Sequence, residues 1–184
     1  EGDLDQLCML MVNPATAQLL LTEFVDLKAG DWMIQSAANS AVGVYLVQLA
    51  KARGANVVSV VRRESAVADL KAVGADVVIV DSPDLARDVK VATGAKMKLA
   101  VDAVAGDTAG RLADTLERGG TLVNYGGMSN QPSALGAGAL IFNDIIVRGF
   151  WLVLWFEKAT KEERIGVYAA LTAAVAKGEL HAPI

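Results

Sequence analysis

The stretch from Asp31 to Arg63 constrains this chain more than any other, because it reads as a strand, a turn of small residues, an amphipathic helix, a second strand and two adjacent arginines. That order is the first half of a nucleotide-binding fold. Trp32, Met33 and Ile34 lead into Ser36-Ala37-Ala38-Asn39-Ser40-Ala41-Val42-Gly43, whose side chains are small enough for backbone amides to approach a pyrophosphate at a helix N-terminus. Val42, Leu46, Leu49 and Ala50 then recur at helical spacing and give an apolar face, with Arg53 at its end and Gly54 closing the helix. Set against the pattern Gly-x-Gly-x-x-Gly, the turn reads Ala38-Asn39-Ser40-Ala41-Val42-Gly43. Only the last glycine, which permits close helix–strand packing, is kept.

Asn56 to Val61 is nearly all β-branched and reads as a buried parallel strand. The residues that follow it select the cofactor. At this point an NAD-binding fold places a carboxylate on the adenosine ribose, whereas an NADP-binding fold places an arginine near the 2′-phosphate. Here stand Arg62 and Arg63, and Glu64 falls after both, at the start of the next helix. A guanidinium fork can bind phosphate oxygens bidentately, so the pair points to NADPH.

Elsewhere, strands and helices alternate in the manner of a parallel sheet covered on both faces. A helix over Ser65–Val73 ends at Gly74, and Val77–Val80 is the third strand. Ser82-Pro83-Asp84 opens a helix, with Ser82 as cap and proline at the first helical position, that runs to Gly94. Leu99–Val104 is the fourth strand, Ala109–Glu117 a helix closed by Gly119-Gly120, and Thr121–Tyr125 the fifth strand. Ala134–Phe142 has short helical potential, and Ile145–Trp151 is the sixth strand. The expected fold is therefore α/β, a Rossmann-like doubly wound sheet of six parallel strands with helices on both faces.

Asn13-Pro14 opens a helix before this unit, with Asn13 as its cap and Leu19, Leu20, Phe24 and Leu27 on one face, while Asp3 to Met11 lead in without an obvious start. Lys161–Lys177 is a helix after it, and Gly178–Ile184 trails off with Pro183. Composition excludes several functions. A net charge of −4 with no basic cluster beyond Arg62-Arg63 leaves no footprint for nucleic acid. One cysteine, Cys8, allows no intrachain disulfide, and with the single His181 it cannot build a His/Cys zinc site. The uncharged run from Trp32 to Ala50 contains Gln35, Ser36, Asn39, Ser40 and Gln48, which would be costly in lipid, so no membrane segment is expected.

Five motifs occur in an order that resembles one family: Asn13-Pro14-Ala15-Thr16-Ala17, Asn39-Ser40-Ala41-Val42-Gly43, Arg62-Arg63, Tyr125-Gly126-Gly127-Met128-Ser129-Asn130-Gln131-Pro132 and Arg148-Gly149-Phe150-Trp151-Leu152. The chain looks like the trans-2-enoyl-thioester reductases of the mitochondrial type, a zinc-free branch of the medium-chain dehydrogenase/reductase superfamily. Two positions depart from the family's habit: Ala15 stands where cysteine is common, and Ala41 where glycine is common. The resemblance implies a GroES-like catalytic domain before the dinucleotide-binding domain, and it covers only the latter. Residues 1–28 would be a linker helix, 29–156 the Rossmann domain and 157–184 a helix starting the return, with the chain cut at both ends. The family's proton-donating tyrosine would lie upstream, so this chain alone would be inactive and Tyr45, Tyr125 and Tyr168 would not replace it.

The resemblance further implies that Asn13 contacts the cofactor near the domain junction, that Asn39, Ser40, Ala41 and Val42 cradle the pyrophosphate, and that Arg62 and Arg63 hold the 2′-phosphate. Tyr125, Gly126, Gly127 and Met128, with Phe150, Trp151, Leu152 and Val153, would line the nicotinamide half. For Phe150, Trp151, Trp155 and Phe156, a core or subunit contact is the alternative. The implied reaction is hydride transfer from NADPH to the β-carbon of a 2-enoyl thioester, followed by protonation of the α-carbon. A zinc-free quinone reductase and a non-enzymatic NADPH sensor or scaffold are the alternatives. A homodimer is expected through the edge strand Ile145–Trp151, with Trp155 or Phe156 near its axis. The expected compartment is the cytoplasm, or the mitochondrial matrix in a eukaryote.

Overall fold

A computed structural model describes residues 3–182, so Pro183 lies outside the described residues. Six strands form one parallel sheet in the order β3-β2-β1-β4-β5-β6. They are β1 (Trp32–Gln35), β2 (Asn56–Val61), β3 (Val77–Val80), β4 (Met97–Asp102), β5 (Leu116–Asn124) and β6 (Ile146–Gly149). The order reverses between β1 and β4, which is where doubly wound sheets open a ligand crevice. The doubly wound fold expected from the alternating pattern is the fold observed.

Successive side chains feed two separate cores, as the two-residue period of a strand requires. Met33, Val57, Leu99 and Val123 pack on one face under α2 (Asn13–Thr22), α3 (Ala41–Ala52) and α9 (Lys161–Ala176). Ile34, Val58, Ala100 and Leu122 pack on the other, under α5 (Leu85–Thr93) and α6 (Gly106–Ala113). The flanking helices are thus part of the packed body. α9 starts at a reciprocal cap, in which the Glu163 amide donates to Thr160 Oγ1 and the Thr160 amide to Glu163 Oε2.

Several boundaries differ from expectation for local reasons. Asn13 is the first residue of α2, not its cap: its side-chain amide donates to Met9 Sδ, because the chain arrives through a preceding helix, α1 (Leu4–Cys8). The start of α1 is marked by Asp3, whose Oδ1 accepts from the Asp5 amide. Phe24 and Leu27 lie beyond the end of α2, though both reach the same core. Glu64–Ala66 is a tight single turn, and α4 (Val67–Val73) follows, closed by Gly74 in the left-handed region. Ser82 caps a turn through Pro83, and α5 begins only at Leu85.

The largest difference is at β5. The helix α6 ends at Ala113, and Thr115 Oγ1 bonds back to Leu112 O, so Leu116 and Glu117 begin the strand. Gly119-Gly120 sit inside β5, at a break in register between the Met97–Leu116 and Leu99–Thr121 pairs, with Gly119 at φ 76°. Two glycines that look like a helix stop therefore form a bulge. Short helices α7 (Ala137–Phe142) and α8 (Leu152–Lys158) flank β6, which is shorter than the expected strand because Phe150 and Trp151 lead into α8.

The two ends of the described chain meet. Gln6 Nε2 donates to Ala182 O at 2.9 Å and the Ala182 amide donates back to Gln6 Oε1 at 2.9 Å. Gln48 and His181 repeat the arrangement at 2.8 and 3.0 Å.

The retained glycine of the turn is fixed by contact. A Cβ on Gly43 would lie 2.3 Å from the Ala38 carbonyl oxygen, so α3 packs onto the turn only if position 43 is glycine. Gly43→Ala should destabilise the fold by about 1–3 kcal/mol, seen as a lower urea midpoint. By contrast, Gly166→Ala on exposed α9, where a Cβ meets nothing within 4 Å, should stabilise it by about 0.5–1 kcal/mol.

Candidate functional site

The carboxyl ends of β1, β2, β3 and β4 converge on a cavity of about 340 Å³. The turn after β1 supplies Ser36, Ala37, Asn39 and Ser40 to its wall, β2 supplies Val60, Val61 and Arg62, and β3 supplies Asp81. Ser40 caps α3 by accepting from the Gly43 amide, which leaves the amides of Asn39, Ala41 and Val42 without a hydrogen bond among the described residues. Ala37 holds φ at 47°, an uncommon choice for a residue with a Cβ, and this bends the turn below the helix start. Unfilled amides and the positive end of a helix of twelve residues together suit an anion. Ala41, where the family's glycine is replaced, has ordinary helical backbone and does not line the cavity, so its methyl leaves the cradle open.

Arg62 and Arg63 are exposed at the end of β2 and have no salt-bridge partner among the described residues. Arg62 lines the cavity and Arg63 does not. Arg62 on the cavity wall, with Asn39 on the same wall and the free amides of Ala41 and Val42 next to it at the helix start, forms a donor set for two anionic groups.

A second cavity, of about 620 Å³, opens at the ends of β5 and β6. Tyr125, Gly126, Gly127, Phe150 and Trp151 meet there, with Ala105 opposite them. Of the residues expected on this side, Met128 lines the first cavity instead. Leu152 packs into the core and Val153 is exposed on α8. Asn13 lines neither cavity. Phe150 stands edge-on to Phe24, 6.0 Å between centroids, while Trp151 is 62% exposed. Trp155 and Phe156 lie half-buried on α8, edge-on to each other at 5.5 Å, and Phe156 stacks on Tyr168 of α9 at 5.8 Å. Burial pushes the Tyr125 phenol up to about 12, with the Ser40 hydroxyl opposing part of that shift, so Tyr125 stays protonated at neutral pH.

One residue that sequence reasoning passed over organises both cavities. Asp102, fully buried at the end of β4, accepts from Ser36 Oγ (2.7 Å), the Val104 and Ala105 amides (2.9 Å each) and Asn124 Nδ2 (3.0 Å). It thereby ties the ends of β1, β4 and β5 together. The bond to Ala105 also holds a strained backbone, at φ 64° and ψ −154°, on the wall of the second cavity. The 125–136 segment is then laid down by close backbone contact: a Cβ on Gly126 would lie 2.7 Å from Ala103 O, and one on Gly110 2.2 Å from Ala134 O.

A family model described as zinc-binding dehydrogenase matches residues 41–165. The chain belongs to that family. Metal is a separate matter: among the described residues, no cluster of three or more His, Cys, Asp or Glu could hold an ion. A mitochondrial enoyl-[acyl-carrier-protein] reductase from Dictyostelium discoideum is 42% identical over 175 residues, covering 91% of this chain and 49% of that protein. The chain thus spans about half the length of the curated relatives that it matches. Among solved structures, the mitochondrial 2-enoyl thioester reductase Etr1p/Etr2p heterodimer from Candida tropicalis superposes with a TM-score of 0.89 at 31% identity, covering 99% of this chain and 53% of that one. A complex of Etr1p with NADP and crotonyl-CoA gives 0.90 at 32% identity, covering 98% and 52%. At these TM-scores and coverages, the Rossmann-like fold is common to this chain and to those reductase structures.

Asp102→Ala should cost about 3 kcal/mol or more, because hydrogen bonds to a charged group are lost and their buried donors are left unpaired. Asp102→Asn, which keeps one acceptor, should cost less. Urea unfolding monitored by tryptophan fluorescence measures both.

Proposed function

We propose that this chain is the cofactor-binding half of an NADPH-dependent reductase acting on the carbon–carbon double bond of 2-enoyl thioesters. The observation that carries the reading is the first cavity, with free amides at the start of α3 at one end and the unpaired Arg62 at the other. At its α3 end, Asn39, Ala41 and Val42 hold the pyrophosphate through their free amides, with Ser40 capping the helix start beside them, while Arg62, with Arg63 at the rim, holds the 2′-phosphate. Tyr125, Gly126, Gly127, Phe150 and Trp151 orient the nicotinamide half, with Met128 between the two ends, and Leu152 and Val153 support Trp151 from α8. Asn13 serves at the junction with a catalytic domain, to which residues 1–28 and 157–184 connect the dinucleotide-binding unit of 29–156.

NADPH, when bound, supplies hydride. The part of this chain is to present it: the second cavity keeps the reacting face toward the other half of the active site, and Phe150 and Trp151 exclude water from it. The proton donor belongs to that other half. The relatives' names support the substrate class, since the Dictyostelium protein is an enoyl-[acyl-carrier-protein] reductase and Etr1p is seen with NADP and crotonyl-CoA. That relative is also named mitochondrial, which favours the matrix for a eukaryotic source. No helix among the described residues is long and apolar enough to cross a membrane.

Calorimetry with NADPH and NADH tests the cofactor assignment. NADPH should bind about ten- to a hundredfold more tightly, and Arg62→Ala/Arg63→Ala should abolish the preference. Equal affinities would refute it. The whole protein that carries this chain should oxidise NADPH with a trans-2-enoyl thioester; turnover of a quinone in its place would favour the alternative chemistry.

A second copy is the proposed partner at β6. That strand is an uncovered edge with Ile146 and Val147 at 50% and 40% exposure, and Ile141 and Phe142 stand exposed beside it at 69% and 72%. Pairing two such edges continues the sheet across a two-fold axis. Light scattering should give a dimer at micromolar concentration, and Val147→Lys should convert it to a monomer. A monomer in the unmutated protein would refute the interface.

A further inference from the structure

The first cavity contains one acidic side chain, Asp81, and its setting is unusual for a residue beside a phosphate site. Asp81 follows β3 directly and is clamped from α6. Arg111 Nε donates to Oδ1 at 2.8 Å and Nη2 to Oδ2 at 2.7 Å, while Thr108 Oγ1 donates to Oδ2 at 2.8 Å. Arg111 Nη2 also donates to Thr108 Oγ1 at 3.1 Å, so the three side chains form a closed set. The Asp81 and Arg111 side chains are only 16% and 25% exposed, and Arg111 does not line the cavity while Asp81 and Thr108 do. Arg111 therefore grips the carboxylate from outside the cavity, and Thr108 holds it from within the cavity wall.

Two consequences follow from this geometry. The Arg111 charge neutralises the carboxylate, so a phosphate dianion at Arg62 meets no net repulsion from Asp81. A carboxylate has about four acceptor sites. Oδ2 already has two donors, and Oδ1 has one, which leaves Oδ1 able to accept again. A donor placed in the cavity would complete the set. Val60, Val61 and Val104 give the cavity apolar walls suited to a flat ring. Of the purine groups that could enter with a 2′-phosphorylated ribose, the exocyclic amine of adenine donates, whereas the 6-oxo group of hypoxanthine only accepts.

We propose that Asp81, held by Arg111 and Thr108, is the base-selecting residue of the cofactor site and accepts a hydrogen bond from the adenine amino group. This rests on the NADPH reading and adds the source of base selectivity to it.

The test compares adenosine 2′,5′-bisphosphate with inosine 2′,5′-bisphosphate by calorimetry, since both carry the ribose phosphate and neither needs the nicotinamide half. The unmutated protein should prefer the adenine ligand about tenfold or more. Asp81→Asn, whose amide can donate to a 6-oxo group, should bring the ratio to about one or reverse it. A purely structural ion pair would lower the affinity for both ligands together and leave their ratio alone. An equal affinity of the unmutated protein for the two ligands overturns the proposal, and needs no variant to fold. So does an unchanged ratio in a folded Asp81→Asn. Binding of neither ligand, nor of NADPH, overturns the cofactor assignment itself, and the base selectivity with it.

Discussion

A buried carboxylate is the constraint on which the ligand edge of this sheet depends. Strands of a parallel sheet are aligned by their backbone ladders, but the ladders stop where the strands end, and the loops that bind a ligand begin just there. Asp102 carries order past that point. By accepting from Ser36, Val104, Ala105 and Asn124, it ties the turn after β1, the loop after β4 and the end of β5 to one side chain. Such a charge is costly to bury unless every acceptor site is used, so its partners are fixed as firmly as it is. Val104 lines the first cavity and Ala105 the second, so this network reaches the wall of each.

Beyond that hub, placement is decided by backbone meeting backbone. Gly43 against Ala38, Gly126 against Ala103 and Gly110 against Ala134 are three points at which no side chain fits. They set the heights of α3 and of the 125–136 segment over the sheet, and thereby the depth of the floor on which a dinucleotide would lie. Charge acts on a floor already shaped: Arg62 stands free at one end of the first cavity, and Asp81 is bound up with Arg111 at another.

Much of this was legible in the sequence where a local signal was strong. The β-branched run Asn56–Val61, the spacing from Val42 to Ala50 and the left-handed Gly54 and Gly74 give strand, helix and stop directly. Gly43 and Arg62 were legible for the same reason, since each follows a strand at a fixed interval. The signal failed where a residue's role is set by a distant partner. Gly119-Gly120 look like a helix stop, yet the pairing of Leu116 with Met97 makes them a bulge. Asn13 precedes a proline and so looks like a cap, yet the turns before it redirect its side chain to Met9. Asp102 is one aspartate at the end of an apolar strand, and nothing within several residues of it foretells Ser36 or Asn124 as partners. Asp81 was hidden in the same way by Arg111, thirty positions further along the chain. Met128 lines the first cavity and not the second because the loop that carries it turns back toward the start of α6 after Gly127, where the Ser129 amide donates to Val104 O and the Ala134 amide to Gly106 O.

The paired amides of Gln6 with Ala182 and of Gln48 with His181 bring the first and last described turns side by side on the helical face opposite α5 and α6. A chain that leaves a body beside the place where it enters can be spliced into a host as a cassette, because both crossings occupy one small patch of surface. It can equally be joined into a ring and reopened elsewhere, for instance at the exposed stretch near Gly136, without asking any strand to change its neighbours.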